Sequence, residues 1–323
     1  MDHKDYILVI GAANIDIGGT PYKPLISGDS NPGIIKMSFG GVGRNIAHNL
    51  ALLGADVKLV TAVGDDILGT EMMESCRSLG IDTDLSITVP GALSSMYIFI
   101  NDDGGEMDLA LSHVEIVEYI TPKYIESIKD QINEALAVVT DCNISQDSLY
   151  KIMEICEVPL YVDTVSVSHA DKIKGHLNGI DTIKPNLIEA EFLTDTRIEN
   201  EYSCLKAARI LIEQGIKRVF ISLGPQGILA ADKNRAIIVG RYPAEIKSTT
   251  GAGDSAMASI IYYSMNGVSD PLTDPAKAAN AAAAATISID TTIHPEMSIS
   301  LIEKIMREND VNIKDLKEID QNE

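Results

Sequence analysis

Apolar residues along this chain come in blocks, and the blocks differ in period. The run "YILVIGAANI" (6–15) is continuously apolar and ends in glycine and small residues, the pattern of a strand buried on both faces. Runs of the same kind recur at 57–64 ("VKLVTAVG"), 135–141 ("ALAVVTD"), 158–164 ("VPLYVDT"), 179–186 ("GIDTIKPN") and 216–224 ("IKRVFISLG"). Between them lie segments of helical period, among them "VGRNIAHNLALL" after Gly41, a stretch from about Asp66 to Leu79, and "EYSCLKAARILIEQG". Strand–helix alternation of this kind predicts a doubly wound, mostly parallel sheet with helices on both faces.

One region breaks the rhythm. Residues 92–117 contain two strand-like runs around "NDDGGE", which is hairpin chemistry. The segment "GGTPYKPLISGDSNPG" is irregular and too polar for a core. Residues 17–38 and 91–117 are therefore expected to form a small discontinuous β-flap on a single domain spanning 1–323. The alanine run "NAAAAAT" (280–286) predicts a close-packed helix, and the charged "ENDVNIKDLKEIDQNE" is expected to be a solvated or frayed end.

Charge narrows the partners. A formal net charge of −21 repels nucleic acid and anionic membranes, so any phosphate must be held by a local electropositive device. The four cysteines (Cys76, Cys142, Cys156, Cys204) have no metal-ligand or CxxC spacing and read as inert thiols in a reducing compartment. With no signal-peptide pattern and no apolar run of membrane-spanning length, the chain is expected in the cytoplasm.

Two glycine-rich leads into helices carry the candidate chemistry. "FGGVGRNIAHNLALLG" (39–54) invites a negative group onto a helix N-terminus. It is a poor dinucleotide fingerprint, because Gly41-Val42-Gly43-Arg44-Asn45-Ile46 lacks the third glycine. A Walker A loop is excluded, since no Gly-Lys dipeptide occurs. The second lead, "IKSTTGAGDSAMASIIYYSM" (246–265), places Gly251, Ala252 and Gly253 before a helix, with Asp254 in its first turn. Backbone N–H groups there can neutralise a transferring phosphoryl group while the carboxylate accepts a hydroxyl proton. The competing reading makes Asp254 a first-turn acid behind a Thr249 or Thr250 cap.

The two motifs lie about two hundred residues apart, and together they resemble the signatures of the PfkB/ribokinase superfamily of sugar and nucleoside kinases. Gly40, Gly41 and Asn45 match its G-G-x-x-x-N motif, and Thr249 through Asp254 match D-T-x-G-A-G-D. The resemblance implies a ribokinase-like fold, Asp254 as catalytic base, and Gly251, Ala252 and Gly253 as anion hole. It also implies Asp16 on the sugar hydroxyls, with Gly41 and Asn45 completing the pocket. Asn186 and Glu189 match an N-x-x-E motif tied to Mg²⁺ and phosphate, with Glu189 acting through water; read alone they are a helix cap. Ser222, Gly224 and Gly227 in "SLGPQG" resemble the turn over which ATP lies, and otherwise make a hairpin turn. Asn280 falls where the adenine would be bordered. The implied cofactors are ATP and Mg²⁺, with K⁺ as a further candidate.

A narrower resemblance, carried by residues 30–54, 141–145, 162–173 and 182–191, is to bacterial pseudouridine kinases. It implies phosphorylation of the 5′-hydroxyl of pseudouridine, a flap that closes over the nucleoside and dimerises, and Tyr97, Asn14 and the stretch from Glu106 to His113 near the base. Three departures stand out: Ser248 opens the second motif in place of Asp or Asn, Thr164 replaces a proline in D-P-V-S, and Ser112-His113-Val114 stands where those kinases tend to carry an acidic residue. The third lies where the acceptor is chosen. Other acceptors (ribose, uridine, adenosine or inosine) and a non-catalytic nucleoside sensor remain the alternatives.

Overall fold

The computed structural model describes residues 5–104 and 106–316. A nine-stranded sheet forms its centre. In spatial order the strands are Ile313–Asp315, Ala236–Val239, Ile228–Asp232, Arg218–Ser222, Thr182–Ile183, Leu160–Asp163, Ala137–Asp141, Tyr6–Ile10 and Asp56–Val60. The last six of these pair in parallel, and the first three add on antiparallel. The continuous apolar runs are explained by what each face meets. Leu8 and Ile10 enter one core, and Ile7 and Val9 enter the other, on opposite sides of the same strand. Helices Gln146–Ile155 and Glu201–Glu213 line the first core with Leu149, Ile152, Leu205 and Leu211. Helices Val42–Leu52 and Ala252–Met265 line the second with Ile46, Leu50, Met257 and Ile260.

Several expected boundaries change. The run 6–15 is two strands: Tyr6–Ile10 sits in the central sheet, and Asn14–Pro21 begins a second sheet after a turn at 11–13. The run 57–64 also divides, because Ala62–Gly64 leaves the main sheet to pair with Ile87–Val89. A cluster of apolar residues cannot reveal which neighbour its backbone joins. The chain's end is not frayed as far as Asp315: Ile313–Asp315 pairs with Ala236–Val239, and its charged side chains reach Arg235 and Glu201. An edge strand needs backbone partners more than apolar side chains. Residues 317–323 of the predicted tail lie outside the described residues.

The second sheet has four strands in the order Gly33–Gly40, Asn14–Pro21, Met96–Asn101 and Met107–His113. Its first segment is longer than expected at both ends, 14–40, and its second is shorter at both ends, 96–113. Strand pairing begins at Asn14, and after His113 a short helical turn at Glu115–Tyr119 buries Ile116 and Val117 in the main core. Cross-strand register sorts this sheet into two faces. Ser38, Asp16, Tyr97 and Ser112 form one row, and Met37, Ile17, Ile98 and Leu111 form the next, on the opposite face.

Candidate active site

The parallel strands end at one edge of the sheet, and their last residues build the site there, where open α/β sheets bind ligands. Asp141, Asp163, Lys184 and Ser222 all lie at or just beyond these strand ends. The N-termini of helices Val42–Leu52 and Ala252–Met265 reach the same edge. The side-chain amide of Asn45 donates to Asp254 Oδ2 at 2.8 Å, joining the two glycine motifs across 209 positions of sequence.

The two helix N-termini are used differently. On the first, the negative group belongs to the chain itself. Asp141 Oδ2 accepts from the N–H of Gly43 at 2.7 Å and of Ala12 at 3.0 Å, and its other oxygen accepts from Asn143 at 2.9 Å. Burial pushes Asp141 up to about 6, against the pull of these donors. The glycines permit the approach: a Cβ on Gly43 would lie 2.8 Å from Gly11 Cα, and Gly41 holds φ 91° against the Ala12 carbonyl. On the second helix, the cap is Gly251 at φ 82°, with no side-chain cap from Thr249 or Thr250. Among the described residues, the N–H groups of Gly253 and Asp254 have no hydrogen-bond acceptor, while that of Ala252 faces Thr249 O at 3.4 Å. The helix end with open N–H donors is therefore this one.

Asp254 is enclosed. Burial first, then the neighbouring Asp163 carboxylate, push it up to about 7; the Asn45 amide and Lys184 pull the other way. Lys184 and Asp163 form an ion pair at 3.2 Å with both side chains under one tenth exposed. Burial alone would lower the lysine, but the carboxylates of Asp163 and Glu189 more than offset it and hold the ammonium charged. Asp163 Oδ1 also accepts from the Val165 N–H at 2.9 Å, and Val165 has φ 63°, a costly conformation for a β-branched residue.

A cavity of about 520 Å³ opens from Asp254, in the size range of small-ligand sites. Asn186, Ser222, Gly224, Gly227 and Asn280 all line it, as do Lys184 and Gly253. Gly224 and Gly227 both take positive φ in the turn joining Arg218–Ser222 to Ile228–Asp232, and a Cβ on Gly227 would strike the Val239 carbonyl. The Asn280 amide is tied to the carbonyls of Val239 and Gly240, so it offers the cavity an oxygen. Asn186 and Glu189 form a reciprocal capping box. Glu189 Oε2 accepts from Thr164 Oγ1 and Asn186 N, and Oε1 accepts from Asn186 Nδ2. Both Glu189 oxygens are thus engaged within the chain. Among the described residues no group of three or more His, Cys, Asp or Glu side chains could hold a metal.

The remaining predicted residues gather beyond Asn45. None of Asn14, Asp16, Gly40, Gly41, Asn45 and Tyr97 lines that cavity. Asn14 pairs with Gly40, and Asp16 is opposite both Ser38 and Tyr97. A Cβ on Gly40 would lie 2.0 Å from Asp16 Oδ2, so glycine makes room for the carboxylate. Burial pushes Asp16 up to about 6, and Arg44 opposes it. Asn14 Oδ1 is buried without a partner, and Tyr97 is half-buried with its hydroxyl near Met107 Sδ. Sequence reading assigned no role to Lys184, Asp163 or Asp141. A lysine closing a buried strand was the available signal, since lysine is rarely buried unless paired.

Residues 4–298 match the pfkB family carbohydrate kinase profile. The chain belongs to the pfkB family of carbohydrate kinases. It is 36% identical to a pseudouridine kinase of Escherichia coli (strain K12) over 307 residues, covering 93% of this chain and 96% of that one. A carbohydrate kinase from Agrobacterium tumefaciens superposes with a TM-score of 0.85 at 26% identity, over 97% of this chain and 100% of that one. An Arabidopsis thaliana ribokinase solved with ribose and ATP gives 0.82 at 20% identity, over 93% and 98%, a likeness of fold. This pfkB kinase is a phosphotransferase with an alcohol acceptor and a ribokinase-like fold. Among its described residues no helix is long and apolar enough to cross a membrane.

Proposed function

We propose that this kinase transfers the γ-phosphoryl group of ATP to the 5′-hydroxyl of pseudouridine, in the cytoplasm. The observation that carries the transfer is the placement of the Asp254 carboxylate beside the unspent N–H groups of its own helix N-terminus. Asp254 takes the hydroxyl proton, and the hydroxyl oxygen bonds to the γ-phosphorus as the bond to the ADP oxygen breaks. The backbone of 251–253 faces the charge on the transferring group, and the Lys184 ammonium lies beside Gly253 to meet the same charge. Mg²⁺ would neutralise phosphate charge, held by the phosphates and, through water, by Glu189. Asp16 accepts from the sugar hydroxyls with the Asn45 side of the site, and Asn14 and Tyr97 border the base. The pseudouridine assignment draws on the 36% identical relative. A different nucleoside or sugar is the second reading, favoured by Ser112 in the row with Asp16 and Tyr97, near where the resemblance leads one to expect an acidic residue.

The test is ADP release with Mg-ATP, with and without K⁺, across pseudouridine, uridine, cytidine, adenosine, ribose and fructose phosphates. Pseudouridine is expected to give the highest kcat/KM. A better acceptor would overturn the assignment within the kinase class, and no release with any acceptor would overturn the reading itself.

The four-stranded sheet would close over the nucleoside with its Asp16–Tyr97 row and exclude water. Its opposite face carries Ile35 at 76% exposure and Leu111 at 66%, with Met37, Ile98, Ile100 and Leu109 also exposed. An apolar face this continuous favours a homodimer through the flap. Ile35→Glu combined with Leu111→Glu is expected to convert a dimer to monomer in analytical ultracentrifugation and to raise the acceptor KM severalfold. A wild-type monomer at micromolar concentration would refute this arrangement.

A further inference from the structure

Arg44 is buried, at 4% exposure, behind the glycine turn, and Cys76 and Asp16 are the groups that favour its charge. Its Nη1 donates to the Phe39 carbonyl at 2.8 Å and to Asn45 Oδ1 at 3.2 Å. Its Nη2 lies 3.4 Å from His48 Nδ1, its Nε has no partner, and the Phe39 ring lies under the guanidinium at 5.9 Å. A buried cation is costly even with Cys76 and the more distant Asp16 carboxylate favouring its charge, so its place beside the site calls for a further reason.

The reason lies in the next residue. A side-chain amide can turn over, exchanging its oxygen and nitrogen, and only its hydrogen-bond partners decide which end points where. A guanidinium has donors alone, so the end of Asn45 facing Arg44 must be the oxygen. The Asn45 NH₂ is then forced towards Asp254, where it donates to Oδ2 at 2.8 Å. We infer that Arg44 is a positioning residue: it locks the Asn45 amide in the orientation that presents a donor, and never an acceptor, to Asp254. The inference rests on the reading of Asp254 as the base.

The lock matters because Asp254 must be ionised to take a proton, and its surroundings oppose this. Asp163 and Asp141 face it as like charges, while Asn45 and Lys184 favour its charged form. An Asn45 turned the other way would present Oδ1, which can be satisfied only by a protonated Asp254. Around Arg44 itself stand His48 on its own helix, Cys76 from the helix Ile67–Ser78, and Asp16 from the flap. Burial, and then Arg44, push His48 down to about 4, so the imidazole stays neutral and does not contribute a second cation. Arg44 also opposes the upward shift of Asp16, so one guanidinium favours the charged form of both carboxylates of the proposed reaction.

The experiment compares wild type with Arg44→Met, Arg44→Lys, Asn45→Ala and the Arg44→Met/Asn45→Ala double variant. Two quantities are read for each: the acid midpoint of kcat/KM, and the Asp254 midpoint by ¹³C-carboxyl NMR titration of the ligand-free protein, assigned from Asp254→Asn. Thermal melting checks that each variant is folded. Arg44→Met is expected to raise both midpoints by about one pH unit, which is about a tenfold loss of kcat/KM on the acid side. Arg44→Lys keeps the charge but has no fork to reach Phe39 and Asn45 together, and should fall between. In the Asn45→Ala background, Arg44→Met should leave the Asp254 midpoint where Asn45→Ala puts it, since the arginine acts through the amide. An unmoved Asp254 midpoint in Arg44→Met, or an equal shift with and without Asn45, would overturn the inference. If Arg44→Met does not fold, an unmoved midpoint in Arg44→Lys does the same. The NMR midpoint needs no turnover, so it tests the arginine even if no acceptor is phosphorylated and the kinase reading fails.

Discussion

Replacing Asp254 with asparagine is expected to lower kcat by about 10³-fold, within the usual range for removing a general base, while ATP still binds. The substitution keeps shape and can still accept the Asn45 hydrogen bond, so the loss reports the missing base. Unchanged turnover would sink the mechanism. In the wild type the same group sets the acid side of the pH profile: with Asp254 near 7, kcat/KM should rise with pH through neutrality and then level. The variant should also melt at a higher temperature than wild type at pH 8. The folded-state value lies above the ordinary 3.8 of an unfolded aspartate. The stability tied to the protonated form is therefore complete below about 4 and is lost as pH rises towards 7. Asparagine has no proton to lose. The gap in melting temperature should accordingly narrow as pH falls from 8 towards 4, which calorimetry across that range can check.

The second large effect is expected at the Lys184–Asp163 pair. Lys184→Met leaves the Asp163 carboxylate buried without its cation, a change that costs about 3–5 kcal/mol in comparable buried pairs. It also removes the ammonium beside Gly253, a group that favours ionised Asp254. Thermal melting and kinetics separate these contributions. Adding Asp163→Asn should recover much of the melting temperature, because the orphaned charge is gone, yet kcat should stay low and the KM for ATP high. Recovery of both together would make the pair purely structural.

How far these residues could be read from sequence depends on what each required of its neighbours. The doubly wound sheet was legible because a strand covered on both faces must be apolar along its whole length, as Ile7 through Ile10 are. The same rule misplaced Ala62–Gly64 and Asn14, since apolarity says that a segment is covered and not by which sheet. Ile313–Asp315 reads as part of a solvated or frayed end because an edge strand is held by backbone bonds that leave no trace in side-chain type. Among site residues, the glycines were the legible ones. Gly41, Gly43 and Gly251 stand where any Cβ would meet backbone within 3 Å, so the need is written at the position itself.

The carboxylates and cations were less so. Asp254 has a local signature, the small residues before it, but Asp141, Asp163, Lys184 and Arg44 look like ordinary polar residues at strand ends and in a helix. The sequence by itself determined the sheet class, the two glycine motifs and the acid that follows the second. Only the tertiary structure decided that the first motif's helix receives Asp141, leaving the second with open N–H donors, and that Asn45 turns its donor to Asp254. The physical reason is that a hydrogen bond or an ion pair belongs to two residues at once. When those residues are 98 or 209 positions apart, neither one's local sequence contains the pairing.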